Sequence, residues 1–158
     1  MTIDIRELVR GEPLFTWVAD DGTNIKIAST RLRNWVLLNQ HTLEIFAVHV
    51  DIEMGTSWLS TGQCDPARVR GLNRRERREP IIFCKRPTFT DGKPDVFLVD
   101  GHHRYARAAL DGDPLIECWL IEEKDWRPFQ VVGGINITQE QLKSAPLRNY
   151  GSIRDEKA

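Results

Sequence analysis

A chain of 158 residues with a formal charge of −1 has the size of one domain with an extension, and can bury a core without staples. Its near-neutral balance gives no global reason to expect nucleic acid or membrane, so local charge clusters carry the information. No apolar run approaches the roughly 20 residues that span a bilayer. The first residues lack the basic-then-apolar order of a secretory leader. The three cysteines, Cys64, Cys84 and Cys118, are too widely spaced for a zinc site or a disulfide framework, and a reducing, cytoplasmic location is expected.

In chain order, residues 4–10 read as a short helix. A strand over 14–18, a turn at Asp20-Asp21-Gly22 and a return strand over 23–28 predict a hairpin. Ser29 or Thr30 can cap a helix reaching residue 38, with Leu32, Trp35, Val36 and Leu38 as its apolar face. Residues 44–52 alternate and are rich in β-branched and aromatic side chains, so a strand is expected there. Residues 55–62 read as a loop carrying Trp58. Asp65 as cap and Pro66 as first helical residue start a helix that runs through Ala67, Val69 and Leu72 into Arg74-Arg75-Glu76-Arg77-Arg78, where Pro80 ends it. Runs 81–84 and 96–99 predict buried strands joined through a turn at Asp91-Gly92-Lys93-Pro94. A helix over 102–111, closed by Asp111-Gly112-Asp113-Pro114, and a strand over 115–121 follow. A strand over 131–135, a capped helix over 138–145 and a frayed polar end complete the pattern. Cys84 and Cys118 lie in strand-like apolar runs and are expected to be buried thiols.

The chemistry concentrates where the strand 96–99 runs into Asp100-Gly101-His102-His103-Arg104. A helix start presents unpaired backbone N–H groups and the positive end of the dipole, which favour an anion and phosphate above all. Gly101 removes the Cβ where a ligand would approach the backbone. Arg104 can fork onto phosphate oxygens. His102 and His103 can donate hydrogen bonds, shuttle protons or ligate metal. Asp100 can hold a metal ion, orient a histidine or cap the helix. Tyr105, Ala106, Ala108, Ala109 and Leu110 need only a packing role.

The order Glu79-Pro80-Ile81-Ile82-Phe83-Cys84, then 96–99, then Asp100-Gly101-His102-His103-Arg104-Tyr105-Ala106-Arg107-Ala108-Ala109, then 114–121, resembles the ParB/sulfiredoxin superfamily. The likeness spans residues 79–121 and extends more weakly to the strand 44–52. It implies a small mixed sheet flanked by helices that binds nucleotide phosphates, usually with Mg2+. By position, Gly101, His102, His103 and Arg104 become the phosphate contacts, Arg74 or Arg78 a nearby ligand, and Asp100 a catalytic or metal-side group. Glu53, with Asp51 at the end of the 44–52 strand, is a candidate acid or base by the same likeness. His102 stands where sulfiredoxins carry a reactive cysteine, so sulfinic acid reduction is not implied. The segment after Ile121 is too short for the DNA-reading and dimerisation parts of a partition protein, and the turn lacks the acidic residue of the partition CTPases.

A second cluster precedes the first buried strand: Arg68, Arg70, Arg74, Arg75, Arg77 and Arg78, opposed only by Glu76. On one continuous helix, Arg70, Arg74, Arg77 and Arg78 would share a face, suited to a nucleic-acid backbone or to a nucleotide's phosphates. The expectation is therefore an α+β domain over 41–145 with an N-terminal hairpin and helix over 1–40 and a tail over 146–158. Its expected activity is that of a magnesium-dependent nucleoside triphosphate hydrolase, a phosphotransferase or a nuclease, with ATP or CTP as ligand or substrate. Asp100, His102, His103 and Glu53 would be the catalytic candidates. The alternative is a non-catalytic DNA- or RNA-binding regulator using Arg70, Arg74, Arg75 and Arg77. A homodimer is compatible with either, and no membrane is expected.

Overall fold

A computed structural model describes residues 2–19, 22–93 and 95–133. The expected helix over 138–145, the tail and part of the expected strand over 131–135 lie outside them. The chain opens with β1 (Ile3–Asp4), then forms β2 (Phe15–Val18), β3 (Asn24–Ile27), α1 (Ser29–Leu38), β4 (Ile45–His49), α2 (Ile52–Ser60), α3 (Pro66–Gly71) and α4 (Arg74–Arg78). It continues through β5 (Ile81–Lys85), β6 (Val96–Asp100), α5 (His102–Asp111), β7 (Leu115–Ile121), α6 (Glu123–Trp126) and β8 (Val131–Val132). The fold is α+β. Its main sheet has the order β4-β7-β5-β6, with β7 and β5 parallel and the outer pairs antiparallel. Among the described residues no helix is long and apolar enough to cross a membrane.

The sheet is covered on both faces, which explains why runs 81–84 and 96–99 are continuously apolar rather than alternating. On one face Ile82, Cys84, Phe97, Val99, Trp119 and Ile121 pack with Phe15, Ile25 and Ile27 of the β2–β3 hairpin and with Leu32 and Val36 of α1. On the other, Ile81, Leu98 and Cys118 meet Tyr105 of α5, with Trp58 of α2 against them. The N-terminal hairpin and helix therefore share the sheet's own core. Ile27, Leu32 and Val36 have no exposed surface, and each buried aliphatic side chain of this kind contributes about 1.5–3 kcal/mol.

Several local expectations are corrected. Residues 4–10 form β1 and one tight turn over Ile5–Glu7, because Ile3 and Asp4 pair in parallel with Val131 and Val132. Residues 55–62 are mostly the body of α2. Asp51 caps that helix by accepting from Met54 N–H at 2.9 Å. Gly55 is the point where α2 presses on α5: a Cβ there would stand 2.5 Å from Ala109 Cβ. The arginine-rich stretch is not one helix. Leu72 is extended (ψ 123°) and buried, α3 ends at Gly71, and Asn73 caps α4 afresh by accepting from Glu76 N–H. Arg70 thus belongs to a different helix from Arg74, Arg77 and Arg78. Leu38, expected on the apolar face of α1, is 82% exposed.

Candidate functional site

β6 carries the chain into Asp100, and Gly101 turns it into α5 with φ of +108°. A side chain at Gly101 would be strained by that φ and would meet Ile81, whose Cγ2 and Cβ lie 2.3 and 2.7 Å from an ideal Cβ. The N-cap residue, Gly101, makes no side-chain capping bond, and the first turn of α5 carries the positive end of the helix dipole.

His102 and His103 are each only 4% exposed. Neighbours on a helix point about 100° apart, and the two rings go to different places. His102 lies between the rings of Phe15 and Trp58, at centroid distances of 5.5 and 5.1 Å. His103 Nε2 accepts the backbone N–H of Asp65 at 3.3 Å, so the neutral ring carries its proton on Nδ1. Asp65 also caps α3 by accepting from Ala67 N–H. The start of α3 is thereby tied to the first turn of α5.

Arg104 has an internal role. Its Nη1 donates to the backbone carbonyls of Glu79 and Pro80, both at 2.9 Å, and its Nη2 to Asp100 Oδ2 at 2.7 Å. Asp100, with a side chain 10% exposed, also faces Arg33 Nε at 3.5 Å, and Arg33 Nη2 bonds Glu79 Oε1 at 2.7 Å. Arg107, one turn along, donates to the carbonyls of Val69 and Arg70 and to Asp111. Both α5 arginines thus grip the ends of the arginine-rich segment.

Beside this network lies a cavity of about 320 Å³, walled by Arg33, Arg68, Glu76, Glu79, Asp100 and His103, with Arg104 also lining it. Arg68 is exposed and makes no ion pair among the described residues. The structure therefore brings Asp100, His103 and Arg104 together as expected from the sequence. It adds Arg33, Arg68, Glu76 and Glu79. Arg33, on α1, carried no sequence signal, whereas Glu79 could have been found from its place beside Pro80 at the strand opening. Three expected residues stand elsewhere. His102 faces an aromatic cavity. Arg78 lines an adjoining cavity of about 190 Å³ with Arg77, Arg107 and Asp111, on the far side of Glu79 and Arg104, which line both. Glu53 is exposed in the first turn of α2 and is not among the residues walling the His103 cavity. Asp51 is engaged as a cap, and its N–H donates to Tyr105 Oη at 2.7 Å.

No group of three or more His, Cys, Asp or Glu side chains able to hold a metal occurs among the described residues. At the cavity, Glu79 and Asp100 are paired with arginines, which leaves Glu76 as the carboxylate without such a partner. That donor set does not make a resident cage, but it fits a cation carried in on phosphates. The cysteines are buried. Burial pushes the Cys84 thiol well above its ordinary value of 9.0 and that of Cys118 up to about 12, so neither is a nucleophile near neutrality. Compared with known proteins, the chain matches no family model, no curated protein and no solved structure.

Proposed function

We propose that the chain is a ParB/sulfiredoxin-like protein that holds the phosphoryl groups of a nucleoside triphosphate at the start of α5 and hydrolyses or transfers the terminal one. The observation that carries this reading is the glycine-turned start of α5 beside a cavity that Asp100, His103 and Arg104 line together with the exposed Arg68. Arg68 meets the phosphate oxygens. His103 holds the start of α3, the helix that carries Arg68, against the first turn of α5 through its Nε2 and the Asp65 N–H, and so positions Arg68 at the cavity. Arg104 and Asp100 hold the frame, and Asp100 keeps Arg33 and Arg104 aimed. Magnesium would come with the substrate's phosphates, and Glu76, the cavity carboxylate without an arginine partner among the described residues, would hold it. It supplies neutralisation of phosphate charge. Glu53, away from the cavity, has no part in this reading.

The test is thermal stability with ATP, CTP, GTP and UTP, with and without magnesium, followed by product assays. A ligand at about a hundredfold its Kd adds about 2.7 kcal/mol, which for a chain of this size raises Tm by about 5–10 °C. Arg68→Ala and His103→Ala should each abolish the shift or the turnover. Four nucleotides that leave Tm unmoved would end the proposal.

A second reading is favoured by a separate observation. Arg68, Arg70, Arg74, Arg75 and Arg78 are exposed and form no ion pair among the described residues, on two short helices anchored to α5. Such a segment suits a DNA or RNA backbone. Each phosphate contact adds about 0.9 to the salt slope for duplex DNA, so Arg74→Ala/Arg75→Ala should lower that slope by about 2. An unchanged slope would remove this reading and leave the first untouched.

A further inference from the structure

His102, one step before His103 on α5, faces a different cavity, of about 310 Å³. Phe15 and Trp17 of β2, Met54 and Trp58 of α2, and Phe83 of β5 wall it, and among the described residues no Asp, Glu, Lys or Arg lines it. Its polar side chains toward the rings are few among the described residues: the Gln63 amide in the exposed bend after α2, the indole N–H groups of Trp17 and Trp58, and His102. The walls are braced from behind. Trp17 stacks on Phe97 with centroids 5.1 Å apart and planes 18° apart, and the Arg86 guanidinium lies over it at 5.0 Å. Trp58 leans on Tyr105 at 5.3 Å as well as on His102.

A concave aromatic site of this volume with a few polar groups has the make-up of a small-molecule pocket. Rigid ring walls lose little entropy when a flat ligand enters, and they favour offset or edge contacts with another ring. Gln63 brings a donor and an acceptor together at the mouth, as recognition of a heteroaromatic edge requires. The two cavities are served by consecutive residues of one helical turn: the charged one by His103, the uncharged one by His102. That division matches a ligand with a flat uncharged ring at one end and an anion at the other.

We propose that the Trp17–Trp58 cavity receives the nucleobase of the nucleotide, with Gln63 reading its edge. This rests on the phosphoryl reading above for the other half of the ligand. The two halves can be tested apart, with adenosine, guanosine and cytidine as phosphate-free probes and pyrophosphate as a base-free one. Binding is read by calorimetry and by the indole NMR signals of Trp17 and Trp58. At least one nucleoside should bind and shift both indole signals. Met54 is 41% exposed at the cavity wall, so Met54→Trp fills the space at little risk to the fold. It should weaken that nucleoside by about tenfold or more, the equivalent of one lost contact of about 1.4 kcal/mol. The surface change Gln63→Ala should weaken it severalfold, and pyrophosphate should bind both variants as it binds wild type. Nucleosides that leave both indoles unmoved, or whose affinity survives both substitutions, overturn the base site. If pyrophosphate still binds in that case, the phosphoryl reading stands. Nucleoside binding without pyrophosphate binding has the opposite meaning: the ring site stands alone and the phosphoryl reading falls.

Discussion

Replacing Arg104 by alanine separates two jobs that its guanidinium could do, holding the fold or holding a ligand. The side chains of Arg104 and Asp100 are each 10% exposed, so solvent replaces little of what is lost. The substitution strips the Glu79 and Pro80 carbonyls of their guanidinium donor and leaves Asp100 with Arg33 Nε at 3.5 Å. A hydrogen bond from a charged donor contributes about 1.5–3 kcal/mol, and breaking a buried pair from one side costs about 3–5 kcal/mol. These overlap, so the expected loss is about 3–5 kcal/mol in all, a fall in Tm of about 10 °C. Arg104→Lys should recover less than half, because an ammonium cannot reach two carbonyls and a carboxylate in one planar fork. Urea unfolding followed by circular dichroism measures both. A loss under about 1 kcal/mol with nucleotide binding abolished would refute the reasoning and return Arg104 to the ligand.

Gly101→Ala should destabilise by about 3 kcal/mol, from the positive φ and from contact with the Ile81 side chain, and calorimetric melting measures it. Gly55→Ala should cost about 1–3 kcal/mol despite its better helix propensity, because the new methyl meets Ala109 Cβ; Ala109→Gly in the same chain should return most of that loss. Asp65→Ala removes the α3 cap and should cost about 1 kcal/mol in urea melts. The buried thiols set an alkaline limit. Once unfolded they ionise near their ordinary 9.0, whereas burial keeps the proton on folded Cys118 to about 12 and pushes the Cys84 thiol well above 9.0. Their raised folded values favour the native state fully below pH 9, and that contribution is lost as pH climbs towards 12. Unfolding free energy should therefore fall over that range, and thiol reagents at pH 8 should label the denatured chain far faster than the native one.

The elements that were legible in the sequence are those whose signals are local. The helix His102–Asp111 has Gly101 before it and Gly112 after it, both at positive φ, and the strand Leu115–Ile121 follows a turn that Asp113-Pro114 announces. Asp65 and Pro66 marked the start of α3 for the same reason. What was illegible depends on partners distant in sequence. α2 is rich in serine, threonine and glycine, and its helical state rests on packing of Gly55 against Ala109 and Tyr105. The break at Leu72 exists because that side chain is buried, while the arginines around it gave no hint of two helices. At the site, residue types pointed to the start of α5, and the cavity is there. They did not reveal that Arg104 is drawn inward by the Glu79 and Pro80 carbonyls, nor that Arg33 arrives from α1. A guanidinium near a phosphate-like turn has the same sequence signature whether it faces a guest or the protein's own backbone.

The grip of α5 on the arginine-rich segment has a consequence for how the chain is made. Arg104 follows Glu79 by 25 positions, and Arg107 follows Val69 by 38. At translation rates of about 5–20 residues per second, the basic stretch leaves the ribosome some seconds before the side chains that anchor it. During that interval the segment lacks the α5 guanidinium bonds that hold both its ends in the folded chain. Docking must wait until α5 has emerged, which places closure of this corner late in biogenesis.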